Sequence, residues 1–337
     1  MKKFHSLFSS IAVLLCTSVL ITGCGSKTTV FNNYELYAPE GASSALELYT
    51  QKYLSEGICV VPAGSKSTDE EAAAVMTADA SLIFNNSTGE WLYANNIYNR
   101  MYPASTTKIV TALVALKYGN LDDVVTVSYN ASHITEYGAK LCGFAEGDRI
   151  RLKKLLYSFL ICSGNDAGIA IAEHIAGSVD AFANMMNTEM KELGAVGTHF
   201  VNPHGLHDDN HYTTPYDLYL AFHELLQYDV FLDIINQPSY TAKFKGADGT
   251  QKQLYFLSTD RYLLGTATAP DRVTVIGGKT GTTAMAGSNL ILYSKDNSGN
   301  DYISVVMHAS DAESLYYQMN YLMDMEINDE EITTDQN

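Results

Sequence analysis

Two groups of β-type runs stand at opposite ends of this chain with a long, mostly helical stretch between them, and that arrangement restricts the fold more than any other feature. Near the start, Ser81 to Asn85 and Trp91 to Ala94 are strand-like, separated by Asn86, Ser87, Thr88 and Gly89, the composition of a hairpin turn. Near the end, Val273 to Ile276, Ser288 to Tyr293 and Tyr302 to Met307 read as strands, the last two joined by the turn-rich segment Asp296 to Asp301. The middle predicts one further strand at Val124 to Ser128 and helices over Ala104 to Lys117, Leu152 to Cys162, Ala167 to Ala176, Val179 to Leu193 and Pro215 to Leu226. In the first of these helices Ile109, Ala112, Leu113 and Leu116 repeat with a helical period, Pro103 suits the entry, and Gly119 with Asn120 ends it. An amphipathic helix over Ala312 to Met325 closes the pattern. Strands grouped at the two ends, with helices inserted, predict an α+β domain whose single antiparallel sheet is assembled from both ends of the chain, not a parallel doubly wound sheet.

The first residues stand apart from that domain. Lys2 and Lys3 precede the largely apolar Leu7 to Ile21, an export signal too short for a spanning helix in the mature protein. Ile21, Thr22, Gly23 and Cys24 match the lipobox of bacterial lipoproteins, so cleavage before Cys24 would leave its thiol to carry a diacylglycerol. A plain signal peptide whose small residues include a cysteine is the alternative. Both readings export the protein, and the first anchors it by lipid to the outer face of the bacterial cytoplasmic membrane. Residues 1–23 are thus expected to be a leader, 24–74 a tether with one short helix at most, 75–327 the catalytic domain and 328–337 an acidic tail. Lys and Arg number 21 against 38 Asp and Glu, a net charge of −17, which excludes nucleic acid as a main partner. A surface that acidic is repelled by anionic headgroups, leaving acyl chains to do the anchoring. Cys16, Cys24, Cys59, Cys142 and Cys162 form no C-x-x-C pair and no zinc-ligand spacing with histidine.

Three short motifs carry the chemistry. Ser105, Thr106, Thr107 and Lys108 form S-x-x-K at a helix start, and residues three apart share a helical face, so hydroxyl and amine can meet. Serine is a poor nucleophile and an ordinary lysine, with a pKa near 10.4, is charged at neutrality. The pair therefore makes chemical sense only if burial or a second cation depresses the lysine. Alone it reads more simply as a capping serine beside a surface lysine, since on the order of one such tetrad arises by chance in a chain this long. Lys279, Thr280, Gly281 and Thr282, after the run Val273 to Ile276, place a cation and two hydroxyls at a strand end; Val273 and the lack of a following helix rule out a phosphate loop. S-x-N occurs at Ser128, Ser163 and Ser298. Only Ser163 with Asn165 lies between two apolar helices, where a polar trio needs an explanation.

The order S-x-x-K, S-x-N, K-T-G resembles the penicillin-binding serine transferase superfamily, and within it the low-molecular-mass D-alanyl-D-alanine carboxypeptidases of the peptidase S11 type. The likeness runs from about Ala78 to Met325 and includes Pro103 to Lys108, Ser163 to Ala167, Phe200 to Leu206 and Lys279 to Thr282. It implies the penicillin-binding/β-lactamase-like fold, a five-stranded antiparallel sheet flanked by helices with an inserted all-helical subdomain. It also implies Ser105 as nucleophile, Lys108 as its base, Ser163 as proton donor to the leaving amine, and Asn165 holding Lys108 and a substrate amide. Lys279 would be the second cation, Thr280 and Thr282 would meet the terminal carboxylate along the strand through Gly281, and the N–H groups of Ser105 and Thr282 would form the oxyanion hole. The implied substrate is a peptidoglycan stem peptide of the cell wall, which would add as a strand near Lys279; the implied inhibitors are β-lactams, and no cofactor is called for.

Two departures qualify the likeness. Many relatives have an arginine in the last strand region, whereas Val306 to Ser310 has none, so carboxylate recognition rests on Lys279 and the threonines. Many also continue into a β-rich second domain and an amphipathic anchor, a role the lipid at Cys24 would take. The rival functions are a β-lactamase and a non-catalytic penicillin sensor, but Gly164 replaces the middle Asp of S-D-N, no E-x-x-L-N context is found, and no signalling segment is visible. His199, His204, His207 and His211 with Asp208 and Asp209 suggest a metal site, yet they lie in a Gly/Pro/Asn loop without H-E-x-x-H, and no metal is expected. Cys162 reads as a small buried residue before it reads as a redox group.

Overall fold

The computed structural model describes residues 58, 59, 61 and 70–334; the leader, the lipobox with Cys24 and most of the expected tether lie outside the described residues. A short helix α1 (Glu70–Val75) leads into the hairpin β1 (Ala80–Asn85) and β2 (Glu90–Asn95). A 3-10 turn, Ala104–Thr107, opens α2 (Lys108–Tyr118), followed by β3 (Val124–Thr126), α3 (Tyr129–Ser132) and β4 (Arg149–Arg151). Helices α4 (Leu152–Cys162), α5 (Asn165–Ala176), α6 (Val179–Glu192), α7 (Pro215–Leu225) and α8 (Asp229–Ile235) precede a second hairpin, β5 (Ser239–Lys245) and β6 (Gln251–Leu257). The chain ends with β7 (Thr274–Thr283), β8 (Gly287–Lys295), β9 (Asp301–Ala309) and α9 (Ala312–Thr334), which carries on into the segment read as an acidic tail.

The main sheet has the order β2-β1-β9-β8-β7, and every pairing is antiparallel. β1 pairs directly with β9, Leu82 against Val305, so the sheet does join the two ends of the chain. Alternate residues of a strand face opposite sides, and both sides here are covered. Ile83, Leu290, Leu292 and Val306 pack with Leu315, Met319 and Leu322 of α9. Phe84, next to Ile83, points the other way, with its ring 4.6 Å from Tyr219 of α7 in an edge-on contact. Two covered faces explain why β8 is buried at nearly every position and carries the continuous apolar run Leu290 to Tyr293 at its centre. Each such fully buried aliphatic or aromatic side chain contributes roughly 1.5–3 kcal/mol.

The insertion between β2 and β7 is not all-helical as expected. It also carries a four-stranded sheet in the order β3-β4-β5-β6, whose hairpin β5–β6 and strand β4 leave many residues exposed and so lack the apolar runs that mark the main sheet. Part of the expected tether is fixed to the domain as well. The buried Cys59 donates its N–H to the Tyr219 hydroxyl at 2.9 Å and accepts at its carbonyl from the Tyr216 hydroxyl at 2.9 Å.

Candidate active site

The S-x-x-K motif folds as a 3-10 turn running into α2, and the residue before the serine is strained: Ala104 has φ +49°, a left-handed conformation that costs an ordinary residue about 1–2 kcal/mol. Lys108 is fully buried in the first turn of the helix. Its Nζ lies 2.9 Å from Ser105 Oγ, 2.9 Å from Asn165 Oδ1 and 2.6 Å from the His204 carbonyl oxygen. Burial depresses this amine well below the usual lysine range, and the positive charge of Lys279 depresses it further. A neutral amine has two N–H groups and one lone pair. Asn165 Oδ1 and the His204 carbonyl can only accept and so take the two N–H groups, which turns the lone pair to Ser105 Oγ, the only neighbour of the three that can donate. The arrangement is that of a base facing its nucleophile.

Each partner is held from a different element. His204 belongs to a loop bent by Asn202, whose Oδ1 accepts from the N–H of Gly205 at 2.7 Å and whose Nδ2 donates to the Leu206 carbonyl at 2.9 Å. Gly205 has φ +87°, and a Cβ there would lie 1.7 Å from the Ala104 carbonyl oxygen, so only glycine lets this loop slide beneath the nucleophile turn. Thr111 of α2 ties the same loop by donating to the Pro203 carbonyl at 2.7 Å. Ser163 caps α4 in a left-handed conformation with φ +64°, allowing α5 to begin two residues later and to present Asn165 to Lys108. Asp166 is the next residue, and its carboxylate accepts from the N–H groups of Cys142, Gly143 and Phe144 at 2.8, 2.8 and 3.2 Å, while the Asn165 N–H donates to the Lys140 carbonyl at 2.7 Å. These bonds hold the loop carrying Lys140 against the cleft.

K-T-G lies inside β7, not at the end of a strand, and β7 forms one edge of the main sheet. Lys279 is buried and its amine is lowered to about 7, by burial first and by Lys140 next. Thr280 Oγ1 donates to Thr259 Oγ1 at 2.7 Å. A Cβ on Gly281 would lie 2.8 Å from the Pro103 carbonyl oxygen and 2.9 Å from the N atoms of Ser105 and Thr106, so the strand touches the nucleophile turn backbone to backbone. Ser105, Lys140, Ser163, Asn165, Thr280 and Thr282 line one cavity of about 310 Å³, with Lys108 and Lys279 buried beside it. The sequence-derived site residues from Ser105 to Thr282 thus come together in one place.

Three supporting residues were not legible as such. Asn289 of β8 is buried opposite Gly281, donates to the Tyr102 and Pro103 carbonyls at 3.2 Å each and accepts from the His308 N–H at 2.7 Å, bracing the segment ahead of Ser105. A lone Asn in the apolar run Asn289 to Tyr293 was its only signal. Thr259 and the loop anchor Asp166 are the others. The histidines serve as structure: His211 Nε2 and Thr107 Oγ1 are hydrogen-bonded at 2.7 Å, His199 Nδ1 lies 2.6 Å from the Asn210 carbonyl, and burial holds His204 well below the normal range and His211 down to about 3. Among the described residues no group of three His, Cys, Asp or Glu is arranged to hold a metal ion. Cys162 is buried, its thiol 3.8 Å from the Leu141 carbonyl.

A serine facing a buried lysine, on a sheet with this topology, defines the penicillin-binding class of active-serine folds. The profile of the D-alanyl-D-alanine carboxypeptidase family, peptidase S11, matches residues 66–311, and the chain belongs to that family. It is 31% identical over 245 residues to the D-alanyl-D-alanine carboxypeptidase DacD of Escherichia coli (strain K12), covering 70% of this chain and 59% of that protein. To DacF of Bacillus subtilis (strain 168) it is 38% identical over 140 residues, 40% of this chain and 35% of the relative, so the alignments to these curated relatives span less than two thirds of their length. The crystal structure of the Streptomyces K15 DD-transpeptidase superposes with a TM-score of 0.69 at 27% identity, covering 78% of this chain and 99% of the other.

Proposed function

We propose that the protein is a serine-type D-Ala-D-Ala carboxypeptidase that removes the terminal D-alanine from peptidoglycan stem peptides and is acylated by β-lactams. The observation that carries this reading is the three-way coordination of the Lys108 amine, which in its neutral form aims its lone pair at Ser105. Lys108 takes the Ser105 proton as Oγ attacks the carbonyl between the two D-alanines. The developing oxyanion is held by the N–H groups of Ser105 and Thr282, worth about 3–4 kcal/mol per donor in comparable sites. Ser163 passes a proton to the departing amine, D-alanine leaves, and water hydrolyses the acyl ester to restore Ser105. Lys279 supplies positive charge beneath the terminal carboxylate, with Thr280 and Thr282 as hydroxyl donors. A β-lactam offers the same acyl centre but retains its leaving group, so its ester persists.

The family membership favours a peptidase over a β-lactamase or a sensor. Export and lipid anchoring at Cys24 complete the proposal; a lipobox at Ile21 to Cys24 supports them. Incubation with diacetyl-Lys-D-Ala-D-Ala is the test: steady D-alanine release, lost with Ser105→Ala, is expected. A stable penicillin adduct without peptide turnover would assign a sensor, and rapid penicilloate release would assign a β-lactamase. Metabolic labelling with a fatty acid, lost in Cys24→Ser, tests the anchor.

A further inference from the structure

A second cavity, of about 450 Å³, is lined by residues only a few positions along the chain from those of the catalytic one. On one side β7 runs from Thr283, which lines the catalytic cavity, into the β7–β8 turn, whose Met285 lines the second. On the other, the loop that supplies the His204 carbonyl runs from Leu206, in the first cavity, to Asp209, in the second. Tyr102, three residues before Ser105, also lines the second cavity and meets the His207 ring edge-on at 4.7 Å.

The polar side chains there are unevenly partnered. His308 is paired with Asp79, and Asp209 has His207 at 3.4 Å. Arg100 is exposed, has only the face of Tyr212 at 4.5 Å from its guanidinium carbon, and makes no ion pair or hydrogen bond among the described residues. A guanidinium laid on an aromatic ring in the lining of a cavity keeps its donors free for a planar anion, and carboxylate matches its fork of donors.

The direction of the substrate says which anion. In the activity proposed above, on which this inference rests, the terminal carboxylate lies near Thr280 and the scissile carbonyl at Thr282. A strand added along β7 with those two fixed points continues, on its amino-terminal side, past Thr283 to Met285. β7 itself ends one residue beyond Thr282, about 3 Å further on, and the turn bearing Met285 follows at once, within reach of the side chain of the stem residue that precedes the two D-alanines.

We infer that the cavity at Arg100 is a subsite for the stem peptide upstream of the scissile bond, and that it selects stems bearing a free carboxylate there over those in which the carboxylate is absent or amidated. The test compares two peptides that end in D-Ala-D-Ala and differ only in a side-chain carboxylate or carboxamide on the preceding residue, using the intact protein. The wild type is expected to favour the acid about five- to tenfold in kcat/KM, the range of a charge-assisted contact at a half-open site. In Arg100→Gln that ratio should fall to about one, and Arg100→Lys should restore part of it. Because the readout is a ratio within each variant, a general loss of activity does not imitate it. Equal kcat/KM values for the two peptides in the wild type, or a preference that survives Arg100→Gln, overturns the inference while D-alanine release leaves the activity intact. If neither peptide is turned over the activity reading fails instead, and their equilibrium affinities for Ser105→Ala decide the subsite by the same ratio.

Discussion

Replacing Gly281 by Ala adds a single methyl group whose consequences can be worked out from the geometry. The new Cβ would stand 2.8 Å from the Pro103 carbonyl oxygen and 2.9 Å from the N atoms of Ser105 and Thr106, against about 3.4 Å for an ordinary contact. The shortfall is roughly half an ångström, and all three atoms are backbone, so no flexible side chain can yield. Gly281 does not have a positive φ, and the substitution therefore adds no backbone strain of its own. The whole effect falls on the distance between β7 and the turn that carries the nucleophile. Overpacking of this kind costs about 1–3 kcal/mol, or about 2–10 °C in melting temperature for a domain of this size. Since a misplacement of 1 Å can cost about a hundredfold in rate, half of that should slow acylation about tenfold. Stopped-flow acylation by a fluorescent penicillin, with melting followed by differential scanning fluorimetry, reads both quantities. Wild-type acylation by a variant that melts like the wild type would refute the claim that this strand sets the position of Ser105.

Three further outcomes follow from the buried charges. With Lys279→Met the positive charge that helps depress Lys108 is gone, so the Lys108 pKa should rise and the acid limb of the acylation profile should move to higher pH; an unmoved limb would mean that burial alone sets the base. Glu326 is raised from 4.5 to about 8, by burial first, so the folded state holds a proton that the unfolded state releases. Its contribution to stability is present below pH 4.5 and is lost as the pH rises to 8, so Glu326→Gln should match the wild type near pH 4.5 and melt higher at pH 9. Asp166→Ala removes the acceptor of three loop N–H groups and should cost about 2–4 kcal/mol by thermal melting, with slower acylation as the Lys140 loop loosens.

How far these features could be read in advance depended on how local their causes are. The bounds of helix α4, Leu152 to Cys162, are legible in the sequence because its apolar period and the polar break at Ser163 are both local. The residues that meet around Lys108 are legible because each motif fixes residue types at fixed spacing. From sequence K-T-G reads as following a strand, although it lies within one, because two successive glycines resemble a break. Tertiary packing explains them: a Cβ on Gly277 would lie 1.9 Å from the Ile235 carbonyl oxygen, and one on Gly278 2.0 Å from that of Ile291. The β5–β6 hairpin is faint in the sequence although Asp248 and Gly249 form a turn signal between alternating residues such as Ala242 and Phe244. Its exposed polar positions outnumber the buried ones and masked the period. Asn289 leaves only the local mark of a polar residue beside an apolar run, because its purpose exists only once β8 meets the segment before Ser105.

The pairing of β1 with β9 also governs when the protein can begin to work. Ribosomes deliver the chain from its amino end, so Ser105 and its lysine emerge while β7, β8 and β9 are still unmade. Until those last strands arrive, the second lysine is missing and the first hairpin has no neighbour on which to close. A half-finished polypeptide therefore lacks a complete pocket, and the groups that surround Lys108 are gathered only once the closing strands of the main sheet have been made.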